Sequence, residues 1–191
     1  MLNKKYFQKI RQQLLSYAEK RREVIKTAGD AQHLAKKAIF ARQRDDLAGA
    51  NSSLSAAEGM LLGLANKYKK EPELLDEGAY RAGLEEYVEA YLLCLFLEGK
   101  EIGEVKKLAV PEDIYIGGLA DVPGEFLRYA IKSATERNFN MVKKCHAAAE
   151  EIITEMVDMD LTGYNRQKFD QAKQALQKLQ QVVYEVSLKN A

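Results

Sequence analysis

Residues 83–99 read GLEEYVEAYLLCLFLEG, with Glu86 and Glu89 just ahead of seven consecutive apolar residues, Tyr91 to Leu97. A run this apolar is buried on all sides, and charged groups are normally kept out of such places. On a helix, residues three apart are side-chain neighbours. The stretch therefore reads as a core helix that carries a pair of carboxylates at the mouth of its buried part.

The surrounding composition extends the helical reading to the whole chain. Three prolines and 12 glycines in 191 residues, set among abundant Ala, Leu, Lys, Glu and Gln, suit helix throughout. Helices are expected over about 3–48, about 51–70, about 74–99, about 112–134, about 137–158 and about 164–188. Asn51-Ser-Ser and Pro72 mark breaks, Pro72 opening a helix, and Gly99 and Gly163 read as stops. No window alternates polar and β-branched residues, so the fold class is all-α without a sheet. The length suits one domain over residues 1–191 with a sizeable core.

Charge excludes little. With 29 Lys+Arg against 28 Asp+Glu the net charge is +1, so any nucleic-acid surface must come from local clustering. Cys94 and Cys145 show no metal-ligand or CxxC spacing, which fits a reducing setting. No apolar run approaches the roughly 20 residues needed to span a bilayer, and nothing signal-like precedes Lys4 and Lys5. A cytoplasmic protein without a membrane partner is expected.

Clustering appears on the first helix. At 100° per residue, Arg22, Lys26, His33, Lys37 and Arg44 share one face, with Phe40 among them as an exception. Val24, Ile25, Ala28, Ala31, Leu34, Ala35, Ala38 and Ile39 take the other, although Gly29-Asp30 is a point where the helix could break. The basic stripe is about 33 Å long at about 1.5 Å per residue, long enough to follow a phosphate backbone. It is equally what a solvated helix face looks like.

A second acidic pair lies in GGLADVPGEFLR, where Asp121 and Glu125 stand at i and i+4. Neither pair has a cation four residues on, although Arg128 could answer Glu125. If the two helices pack together, four carboxylates converge, and such a group must raise its pKa values or bind a cation. Oxygen ligands without His or thiolate favour Mg²⁺ or Mn²⁺. The histidines add nothing to this, since His33 and His146 lack an ExxH or HxxxH partner, and Gly117-Gly118 lacks the Lys-Ser/Thr of a phosphate loop.

YRAGLEEYVEAYLLCLFLEG (80–99) and YIGGLADVPGEFLRYAIKS (115–133) resemble the translin family, specifically its translin-associated factor X branch. KKAIFARQR (36–44) and GYNRQKFDQAKQALQKLQQVVYEVSLK (163–189) are similar to further segments of that family. The resemblance implies a translin-like bundle of roughly seven long antiparallel helices that assembles into a shell, an octamer in the family, around nucleic acid. It implies a Mg²⁺-dependent endoribonuclease, acting on single-stranded or nicked RNA, whose metal and catalytic residues would be Glu86, Glu89, Asp121 and Glu125. Arg22, Lys26, Lys37 and Arg44 would then hold phosphates. Glu85 has no counterpart in the acidic set. The runner-up is a non-catalytic oligomer that binds single-stranded RNA or DNA, as translin does, and a plain helical scaffold is a third reading.

Two departures from the family pattern stand out. Val122-Pro123 replaces a stretch that usually carries Thr, and a proline inside a helix costs ~3 kcal/mol and tends to kink it. The link from Gly99 to Pro111 is short, and no basic targeting cluster stands at the N-terminus. Both traits resemble a compact prokaryotic, archaeal member, in which every subunit of a homo-oligomer would carry a site.

Overall fold

The computed structural model describes residues 1–188, and the last three residues of the domain expected over 1–191 lie outside it. The described residues form α1 (Lys4–Gln43), α2 (Leu47–Lys67), the single turn α3 (Pro72–Leu75), α4 (Gly78–Leu97), α5 (Glu112–Thr135), α6 (Phe139–Val157) and α7 (Gly163–Leu188), with no strand among them. Two groups of helices make the body. In one, α1 packs along α2 and α4; in the other, α5 packs along α6 and α7. Contact between α4 and α5 joins them.

The turn after α1 comes earlier than expected. Asp45 takes a left-handed conformation (φ 60°), and the Asp46 carboxylate caps α2 by accepting from the Gly49 N–H at 2.9 Å. α1 therefore stops at Gln43 rather than near residue 48, and Asn51-Ser-Ser lies inside α2. Gly29-Asp30 does not interrupt α1. Lys67 and Tyr68, at the far end of α2, return to Glu23, so α1 and α2 are antiparallel. Gly99 ends α4 in the left-handed region (φ 68°), as its position suggested.

α4 occupies the centre, although Tyr91, Leu95, Phe96 and Leu97 of its apolar run are only half-buried and the deepest burial lies earlier on the helix. Leu84, Tyr87, Val88, Ala90, Leu92 and Leu93 are all at most 1% exposed. On one side Gly83 lies against α1, where a Cβ would come 3.1 Å from the Ala28 carbonyl oxygen. On the other side Gly118 of α5 sits so close that a Cβ would lie 2.7 Å from the Glu85 carbonyl oxygen and 2.8 Å from Val88 Cβ. The Gly117-Gly118 pair thus allows helix contact at backbone distance. The inner face of α1 is equally small, with Val24, Ala28, Ala31, Ala35 and Ala38 fully buried. Ile25, assigned to that face from its spacing, instead points outward and is 37% exposed.

Direction matters for the site. Gly83 meets Ala28 and Glu86 meets Lys36, so α4 runs alongside α1 in the same sense. Glu85 packs at Gly117 and Phe96 at Phe126, so α5 follows α4 in the same sense too. The segment between α4 and α5 carries the chain back, and α6 returns it before α7. α5 continues through Pro123 without interruption, which keeps Asp121 and Glu125 on one helix. At the other extreme of the molecule, the start of α1 leaves Tyr6, Phe7, Leu14 and Leu15 exposed. No described helix is long and apolar enough to cross a membrane.

The close α4–α5 approach makes a sharp prediction. Gly118→Ala is expected to lose ~1–3 kcal/mol through overpacking, partly masked by the helix-propensity gain of up to ~1 kcal/mol. Gly63→Ala in α2, where a Cβ meets nothing within 4 Å, is expected to show the gain alone. Urea midpoints of the two variants would separate the effects.

Candidate acidic site and nucleic-acid face

The parallel course of α1, α4, α5 and α7 brings charged groups from four helices to one seam. Glu86 points toward α1, where its Oε2 accepts from Gln32 Nε2 and pairs with Lys36 Nζ, each at 3.5 Å. Glu125 is held by Gln43 Nε2, which donates to Oε2 at 2.9 Å and to the Glu125 carbonyl at 3.1 Å. Arg128 also pairs with Glu125 Oε1 at 3.1 Å, as its i+3 position allowed. Asp121 is paired with Lys168 of α7, and the same ammonium bonds Glu85 Oε1 at 2.6 Å. Tyr164 donates to that Glu85 oxygen as well, at 2.8 Å.

Glu89 differs from the others. It is 9% exposed and makes no hydrogen bond or ion pair among the described residues. Burial, then repulsion from Asp121, Glu86 and Glu125, pushes its carboxyl up to about 9. Burial also raises Glu86 against Lys36, Asp121 against Lys168, and Glu125 against Arg128 and Gln43. Burial opposes the charge on Lys168, but its bonds to Asp121 and Glu85 outweigh that and raise it. Five carboxylates thus face three cations, Lys36, Lys168 and Arg128. The seam carries surplus negative charge, which is relieved when Glu89 holds a proton.

The donors fit a hard divalent cation by chemistry, since all are carboxylate oxygens and one has no protein partner. By distance they do not form a cage. Among the described residues no three His, Cys, Asp or Glu side chains are grouped so as to hold an ion. The physical reason is visible in the pairs, because Lys36, Lys168 and Arg128 draw Glu86, Asp121 and Glu125 each toward a different neighbour.

The four cations expected on the outer face of α1 are where the spacing put them. Arg22, Lys26, Lys37 and Arg44 are exposed. None joins an ion pair among the described residues, whereas Lys20, Arg21 and Lys36 of the same helix are taken by Glu71, Glu77 and Glu86. Lys37 and Arg44 line a groove of about 550 Å³ with Phe40, Gln43, Ser52 and Ser53.

Several site residues escaped the sequence reading. Lys168, Lys36, Gln32 and Gln43 lie on other helices than the acids they hold, and no local spacing links them. Glu85 had been set aside, yet it anchors Lys168 and packs its carboxylate over Gly117. The signal available for it was its place beside Glu86, which by itself points to the helix face next door.

The model of the Translin family matches residues 19–190. The chain belongs to the Translin family. No curated protein sequence matches it significantly. Among solved structures it is similar to apo-NeC3PO, at 22% identity and a TM-score of 0.87, over 97% of this chain and 98% of that one. It is also similar to AfC3PO, solved alone (20% identity, TM-score 0.88, 96% and 98% covered) and as a complex with duplex RNA (19%, 0.85, 96% and 97%). At these identities the likeness concerns the fold, and it confirms the all-α translin-type bundle expected from the sequence.

Two stability measurements test the electrostatics. Glu89 has an ordinary carboxylate value near 4.5 when unfolded and about 9 when folded. Its contribution is full below the unfolded value and is lost as pH rises toward the folded one, at ~1 kcal/mol per pH unit. Wild-type stability should therefore fall between about pH 5 and about pH 9, with Glu86, Asp121 and Glu125 acting in the same sense while Lys168 stays charged. Glu89→Gln should flatten that profile measurably in urea titrations. Separately, Lys168→Met strands Asp121 and Glu85 and should cost ~3 kcal/mol, part of which Asp121→Asn in the same chain restores.

Proposed function

We propose that this protein is an RNA-binding oligomer that cleaves single-stranded or nicked RNA as a Mg²⁺- or Mn²⁺-dependent endoribonuclease of the translin-associated factor X type. The observation that carries the reading is Glu89, a buried carboxylate with no partner, among Glu86, Asp121 and Glu125. A group of acids that cannot all ionise alone is one that an added cation would stabilise.

Glu86, Glu89, Asp121 and Glu125 would hold the ion, which when bound supplies an activated water and offsets charge on the phosphoryl oxygens. The chain's own residues do the rest. Glu89, whose neighbours disfavour its charge, would be the member of the set to accept a proton from the attacking water if it were not itself a ligand of the ion. Lys36, Lys168 and Arg128 keep the other carboxylates oriented, and Lys168 limits the negative charge an approaching phosphodiester meets. Arg22, Lys26, Lys37 and Arg44, unpaired on one helix face, would hold backbone phosphates. The similarity to AfC3PO, a protein whose structure has been solved in complex with duplex RNA, supports RNA as the ligand. The exposed Tyr6, Phe7, Leu14 and Leu15 support burial against further copies, with an octamer the assembly the resemblance implies. A cytoplasmic setting suits the two free cysteines.

A second reading, a shell that binds single-stranded RNA or DNA without cutting it, is favoured by one observation. Three of the four carboxylates already have protein partners, and among the described residues no three converge. Cleavage of a labelled single-stranded RNA separates the readings, with Mg²⁺, Mn²⁺ or EDTA and with wild type beside Glu89→Gln. Metal-dependent cutting that falls by ~10²-fold or more in the variant, with binding kept, is the expected result. Equal binding and no cutting in either protein would leave the binding shell.

A further inference from the structure

Phe40 has no role in the scheme above. It lies on the outward face of α1, 56% exposed, in a helix whose apolar residues otherwise turn inward along this stretch. A lone exposed aromatic is ordinary on a protein surface. This one has unusual neighbours. Lys36 and Lys37 precede it by four and three residues and Arg44 follows by four, so all three flank it on the helix surface. From α5 the Arg128 guanidinium stands over the ring, 5.8 Å from its centre.

Two connections tie the ring to the acidic seam. Arg128, which covers the ring, pairs with Glu125 at 3.1 Å. Gln43, three residues along α1 from Phe40, bonds the same carboxylate at 2.9 Å. The ring also lines the groove of about 550 Å³ together with Lys37, Arg44, Ser52 and Ser53. Asp46, the carboxylate among the described residues that line it, is engaged as the cap of α2. The volume is that of a small-ligand cleft. An aromatic face, a ring of cations and an adjacent cleft are the parts of a stacking site for single-stranded nucleic acid.

We infer that Phe40, steadied by Arg128, is a base-stacking subsite that seats one nucleobase of a single-stranded RNA in this groove and so sets which phosphodiester reaches the acidic seam. The inference rests on the proposed RNA-binding function and deepens it. Lys37 and Arg44 hold the phosphates on either side of the stacked nucleotide. Every base has a π-face, so the subsite prefers single strands over duplex without choosing a sequence. Duplex bases are already stacked on each other and have no free face to offer.

The chain contains no tryptophan, which gives a direct readout. Phe40→Trp places a single indole at the subsite. With EDTA present to prevent cleavage, the probes are an oligouridylate and an abasic ribose-phosphate strand of equal length. Oligouridylate should quench the indole while the abasic strand does not. Wild type should bind oligouridylate ~10-fold more tightly than the abasic strand, a ratio that Phe40→Leu abolishes and Phe40→Tyr keeps. Phe40→Leu should leave abasic binding and its salt dependence unchanged, because those report phosphate contacts.

Equal affinity of wild type for the two strands, or a Phe40→Leu ratio like that of wild type, would overturn the subsite while RNA binding stands. No binding of either strand by wild type would overturn both the subsite and the proposed function. A change of assembled mass in Phe40→Leu would overturn it in favour of a contact between copies of the chain.

Discussion

Everything distinctive here depends on how closely α4 is approached from two sides. Gly83 admits the backbone of α1, where a Cβ would be tight at 3.1 Å, and Gly118 admits the backbone of α4 to α5 at a distance no Cβ would permit. With helices that close, side chains at the seam lose most of their hydration, Glu89 most of all. Glu89 is caught there, and its three acidic neighbours come with it because i, i+3 and i, i+4 spacing holds each pair on one face. Burial of a carboxylate is unfavourable by several kcal/mol when ionised. The apolar run from Leu92 onward anchors the helix that carries it.

The remaining charge is managed between helices rather than within them. Lys168 spans Glu85 and Asp121, Lys36 answers Glu86, and Arg128 with Gln43 answers Glu125. Each bond also ties one helix to another, so the seam is part of the packing of α1 and α7 onto α4 and α5. Compensation stops short of neutrality, and the deficit falls on Glu89. A protein arranged only for stability would pair that group or replace it. The unpaired acid is the kind of local violation that accompanies function.

α1 serves two surfaces at once. Its inner alanines allow the close approach to α2 and α4, and Gln32, Lys36 and Gln43 reach the acids. Its outer face carries cations that join no ion pair among the described residues, with Phe40 between them. A single rigid helix therefore sets the distance from the phosphate-holding groups to the acidic seam.

The helical class, the core status of α4, both acidic pairs and the basic stripe were legible in the sequence, since each is a matter of composition or of spacing along one helix. Family membership followed from the same motifs. The break near residue 45 was misjudged because an aspartate in the left-handed region gives a weaker signal than the Asn-Ser-Ser run that lies inside α2. Ile25 was misplaced because the packed stripe of α1 is narrow and made of alanine. What only the tertiary structure decided is which cation meets which acid. Lys168 stands 47 residues from Asp121, and Gln43 stands 82 from Glu125. Periodicity describes one helix at a time, whereas the ionisation of Glu89 is set by lost hydration and then by charges on α4, α5 and α7, and those appear only once the helices are packed.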